Sequence, residues 1–298
     1  IDFQNILIIK DGYIVAEQYY SDEYGVDSLH RIHSCTKSIT SALMGIAIEK
    51  GFIENVDETM LSFFPEYEIE NLTQEKQQIS LEHLLTMSAG LEWYELEYLY
   101  SDERNTFRSY VASDNRVKFV LNRPMVASPG IEYSYNTGIS HVLSAIIQKS
   151  VGIRTDWFAI DNLFNPLGIE NFIWPLDAHG IPEGGNRMLM RTRDMAKFGY
   201  LYLKNGLWDG QQIIPEYWVQ ASQQKHIQRK YISNYHYGYQ WWVGENSYSA
   251  VGYAGQWISI FPQHNLVVVF NNQFDEGDGF QWNTPERLIN TFILPAIK

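Results

Sequence analysis

The most informative segment of this 298-residue chain is His30-Arg31-Ile32-His33-Ser34-Cys35-Thr36-Lys37-Ser38-Ile39-Thr40-Ser41. Its serine and lysine, Ser34 and Lys37, precede the most apolar helix that the sequence predicts, over residues 38–50. Residues three apart share one face of a helix, and the N–H groups at a helix N-terminus favour negative charge. A desolvated lysine can be neutral near physiological pH and accept a hydroxyl proton. We therefore predict that Ser34 is a nucleophile and that Lys37 handles its proton.

The Ser-x-x-Lys spacing is weak evidence by itself, because the chain contains a second copy, Ser222-Gln223-Gln224-Lys225. That copy lies in a polar stretch with no apolar helix behind it, and we interpret it as surface. A purely structural serine and lysine is the alternative at the first copy. The apolar helix that follows Ser34 favours the catalytic interpretation there.

A second candidate segment, residues 129–138, reads Pro-Gly-Ile-Glu-Tyr-Ser-Tyr-Asn-Thr-Gly and leads into a helix predicted over residues 139–150. A tyrosine such as Tyr135, just before a helix, can enter a cleft from a loop. A nearby cation would lower its pKa and let it relay protons. Taken alone, this segment fits an ordinary aromatic anchor better.

A third candidate is the turn Gly252-Tyr253-Ala254-Gly255-Gln256, which lies between two predicted strands. Glycines let a backbone N–H group approach a ligand closely. A free N–H group on an edge strand would complete an oxyanion hole. The alternative is a simple tight turn.

Together these segments resemble the serine β-lactamase and penicillin-binding-protein superfamily, and most of all its class C β-lactamase and esterase branch. Ser-x-x-Lys is an established motif of these enzymes. Residues 84–91 resemble the short signature that follows the nucleophile, residues 192–199 a family helix start, and residues 255–269 the last motif with its strands. The likeness covers nearly the whole chain in the right order.

The resemblance implies that Ser34, Lys37 and Tyr135 are catalytic, and it leaves open whether Lys37 or Tyr135 is the base. It also implies an oxyanion hole from the backbone N–H groups of Ser34 and Gln256, and it implies no metal or cofactor. The substrate contacts that it implies are Asn136, Tyr253, Ala254 and Gly255.

Two departures from the family pattern bear on substrate choice. The usual Tyr-x-Asn becomes Tyr135-Asn136-Thr137, and the usual Lys-Thr-Gly becomes Tyr253-Ala254-Gly255. The second change removes the cation and the hydroxyl that would hold a carboxylate. It favours a carboxylesterase-like hydrolase over a β-lactamase or D-alanyl-D-alanine peptidase, with a hydrolase of short amides between them. A non-catalytic ligand-binding sensor is the alternative of another class.

The resemblance implies a small-molecule ester, amide or lactam substrate, and composition argues against other partners. A net charge of -13 argues against nucleic acid, which requires clustered lysine and arginine. The single cysteine, Cys35, excludes an internal disulfide, and no run of 18 apolar residues predicts a membrane span. The resemblance suggests a periplasmic or secreted protein, with a cytoplasmic one as the alternative, and the start at Ile1 is compatible with a removed leader. The oligomeric state is open.

Strand patterns at both ends of the chain enclose a mostly helical middle. Asp11-Gly12 predicts a β-hairpin, and residues 237–270 predict an antiparallel meander. Further helices are predicted over residues 80–87, 193–205 and 285–297. We predict an α/β protein of the α+β type, class C β-lactamase-like, whose antiparallel sheet is built from both termini and flanked by helices. Residues 1–50 and 206–298 would form the α/β region and residues 51–205 a mostly helical one, with the active site in the cleft between them.

Overall fold

The computed structural model describes residues 2–20, 23–229, 235–273 and 284–297. Its strands are β1 (Asp2–Lys10), β2 (Tyr13–Tyr19), β3 (His30–Arg31), β4 (Phe172–Ile173), β5 (Leu189–Met190), β6 (Leu207–Trp208), β7 (Gln211–Gln212), β8 (Ile227–Gln228), β9 (His236–Tyr237), β10 (Trp242–Val243), β11 (Tyr248–Gly252), β12 (Gln256–Phe261) and β13 (Leu266–Gln273). Its α-helices are α1 (Thr36–Glu49), α2 (Gln74–Gln77), α3 (Leu81–Leu85), α4 (Thr106–Ala112), α5 (Arg116–Leu121), α6 (Thr137–Val151), α7 (Thr155–Ala159), α8 (Thr192–Leu203), α9 (Glu216–Ser222), α10 (Thr284–Leu288) and α11 (Leu294–Ala296).

An eight-stranded antiparallel sheet organises the molecule, in the order β2-β1-β13-β12-β11-β10-β9-β8. Strand β1 lies against β13, so the two ends of the chain meet inside one sheet. The hairpin between β1 and β2 turns at Asp11 and Gly12, whose φ angles of 52° and 87° are the left-handed values that a tight hairpin needs. The predicted fold class, an antiparallel sheet with flanking helices, is confirmed.

Helix α1 is the buried centre of the fold. Twelve of its 14 residues, from Thr36 to Ala47, are buried, so its polar side chains must find partners inside the protein. Ser38 Oγ accordingly donates to the carbonyl of Gln240 at 2.8 Å, and Thr40 Oγ1 donates to the carbonyl of Gly184 at 2.7 Å. These bonds fix α1 to the loops around the site.

Helices α6 and α8 position the remaining elements. Helix α6 packs along α1 and ends at Gly152, whose φ of 74° is the usual left-handed helix stop. Helix α8 packs on β1, β12 and β13, although it lies within the predicted helical region of residues 51–205. The division into two regions therefore stays a prediction.

Residues 91–128 contain two helices, α4 and α5, that the sequence did not predict. Both are short, and they begin at the side-chain caps Asn105 and Asn115 rather than at the start of an apolar repeat. The predicted closing helix is present as α10, a π-helical turn (Ile289–Ile293) and α11. Among the described residues, no helix combines the length and apolarity needed to cross a bilayer.

Candidate active site

Ser34 lies in a 3-10 turn, His33–Cys35, immediately before α1. The turn begins at His33, whose φ of 46° is unusual for a residue with a side chain. Strained backbone of this kind is often found where a functional side chain must be presented at a defined angle. Here it directs the half-buried Ser34 into a cavity.

Lys37 contacts the Ser34 hydroxyl directly. Its Nζ donates to Ser34 Oγ at 3.1 Å, to Thr137 Oγ1 at 3.0 Å and to the carbonyl of Gly185 at 2.7 Å. Burial of the ammonium lowers the pKa of Lys37 to about 8, although the nearby Glu95 carboxylate opposes this shift. A substantial fraction of Lys37 is therefore neutral at mildly alkaline pH and able to accept the proton of Ser34.

Tyr135 approaches the same hydroxyl from the loop before α6. Its side chain lies close enough to Ser34 to interact with it, and Lys37 Nζ lies 4.7 Å from the centroid of its ring. Burial, reinforced by the Glu95 carboxylate, raises the pKa of Tyr135 well above its usual value. The phenol therefore stays protonated and can donate a proton.

Glu95 is a buried carboxylate beneath this group that the sequence analysis missed. Four donors reach its two oxygens: the backbone N–H of Thr137 at 2.8 Å, Thr137 Oγ1 at 2.6 Å, Trp93 Nε1 at 2.8 Å and the Tyr100 hydroxyl at 3.2 Å. Through Thr137, the carboxylate is linked to Lys37 Nζ. No local pattern distinguishes Glu95 from the other acidic residues of the chain, so only the fold reveals it.

A cavity of about 450 Å³ extends from Ser34 and opens to the surface. Its walls combine aromatic and aliphatic side chains with a few polar groups, as small-molecule sites usually do. The apolar part includes Tyr100, Phe107 and Val111, and the polar part includes Glu95 and Asn186. Within the described ranges, no three His, Cys, Asp or Glu side chains come together as a metal site.

The model of the family described as Beta-lactamase matches residues 5–290, which is nearly the whole chain. The chain belongs to the β-lactamase family. With Ser34 and Lys37 in contact at its cavity, this β-lactamase-family protein is a serine hydrolase, as the sequence predicted.

Similar proteins extend this result. The chain is 21% identical to the 6-aminohexanoate-dimer hydrolase of Paenarthrobacter ureafaciens, with 93% of this chain and 74% of that protein covered. Among solved structures, the octameric penicillin-binding protein homologue of Pyrococcus abyssi has a TM-score of 0.78 and 20% identity, covering 98% of this chain and 73% of that one. EstCE1, a hydrolase with promiscuous acyltransferase activity, has a TM-score of 0.77 and 17% identity, covering 96% and 92%. At these identities the structural matches show the shared fold.

Asn136, a predicted substrate contact, caps helix α6. Its side-chain oxygen accepts the backbone N–H of Ile139 at 3.1 Å and caps α6, and the residue is buried. Thr137 faces the cavity instead, next to Lys37. The cap uses only the side-chain oxygen of Asn136, so its contact with substrate stays a prediction.

The turn at Tyr253, Ala254 and Gly255 lies against the nucleophile segment in this β-lactamase-family protein. Tyr253 lines the cavity, and its ring packs edge-on against His33 with 5.7 Å between the ring centroids. Ala254 and Gly255 are buried in left-handed conformations, with φ angles of 60° and 79°. They shape the turn, and their contact with substrate stays a prediction.

Gln256 begins β12 directly after this turn. The Cys35 thiol donates to the Gln256 carbonyl at 3.5 Å, which places the start of β12 beside the nucleophile turn. The Gln256 side chain is held in the interior by Asn271 and Asn272. The oxyanion hole from the Ser34 and Gln256 N–H groups is compatible with this arrangement and stays a prediction.

The second Ser-x-x-Lys copy is not on the surface as interpreted from sequence. Ser222 is fully buried at the end of α9, and its hydroxyl donates to the Trp218 carbonyl at 2.7 Å. Lys225, by contrast, is exposed. The prediction was wrong because α9 packs against α1, which the polar sequence around Ser222 does not indicate.

Proposed function

We propose that this chain hydrolyses small neutral esters, and short amides more slowly, through an acyl-enzyme on Ser34. The observation that carries the proposal is the contact between Ser34 Oγ and a buried Lys37 whose pKa is lowered to about 8. The 6-aminohexanoate-dimer hydrolase and EstCE1 support ester and amide substrates, since their names describe hydrolases.

In the first half-reaction, Ser34 Oγ attacks the acyl carbon while neutral Lys37 accepts the hydroxyl proton. The resulting oxyanion is bound by the N–H groups of Ser34 and Gln256. Tyr135 donates its proton to the leaving group and regains one from the Lys37 ammonium. This order of roles follows from the raised pKa of Tyr135, which makes a phenolate base unfavourable.

In the second half-reaction, water attacks the acyl-enzyme and gives up a proton to Lys37. The collapse of the tetrahedral intermediate returns a proton to Ser34 Oγ and releases the carboxylic acid. The proton transfers of both half-reactions require only Ser34, Lys37 and Tyr135, and the N–H groups of the oxyanion hole stabilise the intermediates.

Substrate choice follows from the turn at Tyr253. A carboxylate in a partly buried cleft needs charge-assisted hydrogen bonds of about 1.5–3 kcal/mol each. Ala254 has no donor, and Tyr253 offers a neutral phenol in place of an ammonium. We therefore expect anionic substrates such as penicillins to bind about a hundredfold more weakly than they would with a Lys-Thr-Gly turn.

A hydrolysis screen with a nitrophenyl ester, a chromogenic cephalosporin and short neutral amides tests the proposal. We expect the ester to turn over fastest, and all activity to be lost in Ser34→Ala together with the fluorophosphonate adduct seen by intact-mass spectrometry. An adduct that persists in Ser34→Ala would contradict the assignment of Ser34 as the nucleophile. Equal turnover of the cephalosporin and the ester would contradict the preference for esters. Arg108, in the cavity wall, would then be the candidate partner of the cephalosporin carboxylate.

A further inference from the structure

A row of buried amide and hydroxyl side chains runs behind the turn that precedes β12. Thr192 Oγ1 donates to Asn271 Oδ1 at 2.8 Å, and Asn271 Nδ2 donates to Gln256 Oε1 at 2.9 Å. Asn272, the next residue of β13, donates from Nδ2 to the Gly255 carbonyl at 2.6 Å. All four side chains of the row are buried. Burying polar groups costs desolvation free energy, and a hydrogen-bonded network of this kind fixes the geometry of the groups that it joins.

The same row reaches the segment that leads to Ser34. Asn5 Nδ2 donates to Thr192 Oγ1 at 3.0 Å and lies 2.7 Å from His30 Nε2. His30 is buried on β3, four residues before Ser34. The row therefore connects the two backbone segments whose N–H groups form the predicted oxyanion hole.

Asn272 acts on one peptide unit of that hole. The Gly255 carbonyl and the Gln256 N–H belong to the same planar trans peptide, so they point in opposite directions. A hydrogen bond that fixes the carbonyl therefore also fixes the direction of the N–H. A donor on the carbonyl also polarises the peptide, which strengthens the N–H as a donor.

Two further observations indicate that this bond is the purpose of the Asn272 side chain. The Asn272 side-chain oxygen is buried and has no partner within the part of the chain that the structure describes, so only the NH₂ group is used. The turn itself contains Ala254 at a φ of 60°, a left-handed value that is unfavourable for a residue with a side chain. Contacts from outside the turn must therefore stabilise it.

We propose that Asn272 is a positioning residue for the oxyanion hole, holding the Gly255–Gln256 peptide so that its N–H points at the substrate oxygen. The inference rests on the proposed function, because it takes Ser34 as the nucleophile and the Gln256 N–H as an oxyanion donor. When Ser34 Oγ bonds to the acyl carbon, the carbonyl π electrons move to the oxygen. An N–H that is already held in place stabilises this charge without rearrangement.

Two esters that differ in one atom test this role. 4-Nitrophenyl acetate places an oxygen in the hole, and its thiono analogue places a sulfur, which is a weaker hydrogen-bond acceptor. We measure kcat/KM for both, each divided by its rate constant for hydroxide-catalysed hydrolysis. In Asn272→Leu, which has a similar shape and no donor, kcat/KM for the oxygen ester should fall by about 10–100-fold. The thiono ester should lose less, so the normalised oxygen-to-sulfur ratio should fall by about tenfold.

Ser259→Ala is the matched control. Ser259 also lies on β12, and its buried hydroxyl is hydrogen-bonded to Ser249 Oγ at 3.0 Å. Loss of this bond should lower stability and leave the oxygen-to-sulfur ratio unchanged. Asn272→Ala, which leaves room for water at the Gly255 carbonyl, is the second test variant in case Asn272→Leu does not fold. Far-ultraviolet circular dichroism and urea unfolding verify the folding of each variant.

The outcomes separate this inference from the proposed function. A folded Asn272 variant that keeps the wild-type oxygen-to-sulfur ratio overturns the positioning role. A ratio that falls equally in Ser259→Ala also overturns it, because the effect would then be one of general loosening of the sheet. Absence of ester turnover and of fluorophosphonate labelling at Ser34 in the wild type overturns the proposed function, and the inference with it.

Discussion

At the scale of single residues, the protonation state of Lys37 determines the pH range of activity. Its pKa is lowered to about 8 by burial, and only the neutral amine can accept the Ser34 proton. For a neutral ester, kcat/KM should therefore rise about tenfold per pH unit below that value and level off above it. A pH–rate profile between mildly acidic and alkaline pH measures this. A profile that is flat across this range would show that a group other than Lys37 accepts the proton of Ser34.

Glu95 is predicted to oppose the lowering of the Lys37 pKa. Replacing its charge in Glu95→Gln removes the attraction that favours the ammonium, so the rise in kcat/KM should move to lower pH. In Glu95→Gln, an NH₂ donor also replaces one of the oxygens that accept hydrogen bonds, so a buried donor loses its acceptor. The free energy of unfolding should therefore fall by about 1–3 kcal/mol. The pH–rate profile and urea unfolding of the same variant measure both effects. A merely structural Glu95 would change stability and leave the position of the profile unchanged.

At the scale of secondary-structure elements, the contact between α1 and α9 depends on Gly45. A Cβ at this position would lie 2.3 Å from a ring atom of Trp218. Alanine is intrinsically better than glycine in a helix by about 1 kcal/mol, but the overlap should outweigh this and destabilise Gly45→Ala by about 1–3 kcal/mol. Urea denaturation measures the change. Gly25→Ala, where a Cβ meets no atom within 4 Å, is the control and should have little effect.

The elements that the sequence predicted are those with a strong local signal. Asp11-Gly12 marks the first hairpin, and the apolar repeats of α1 and α6 mark the two central helices. Helices α4 and α5 were missed because seven and six residues are too few to show a periodic face. The helix cap at Asn136 was not predicted, because a helix cap and a substrate ligand use the same residue type.

At the scale of the whole molecule, the candidate site draws on segments that are far apart in sequence. The motifs placed Ser34, Lys37 and Tyr135 together because their order matches a known family. Glu95 and Gly185 lie on irregular segments whose approach to Lys37 depends on the packing of α6, so no spacing could indicate them. Geometry from the complete fold was needed for both.

One hydrophobic core connects the sheet to the helices. It includes Leu7 of β1, Leu43 of α1, Leu143 of α6 and Ile258 of β12. We therefore predict that the two regions unfold together in a single cooperative transition. Tryptophan fluorescence and far-ultraviolet circular dichroism should give coincident urea curves. Two separated transitions would show that residues 51–205 form an independent folding unit.

The lone thiol of Cys35 has a consequence for chemical probing of the cleft. Cys35 is the last residue of the nucleophile turn, and its fully buried thiol contacts the start of β12. Burial raises the pKa of the thiol, so the reactive thiolate is scarce in the folded protein. We expect a maleimide or disulfide reagent to reach the sulfur only when the nucleophile turn moves away from β12. The rate of Cys35 modification therefore measures how often the structure next to Ser34 opens locally. Fluorophosphonate labelling of Ser34, by contrast, reports on the closed form.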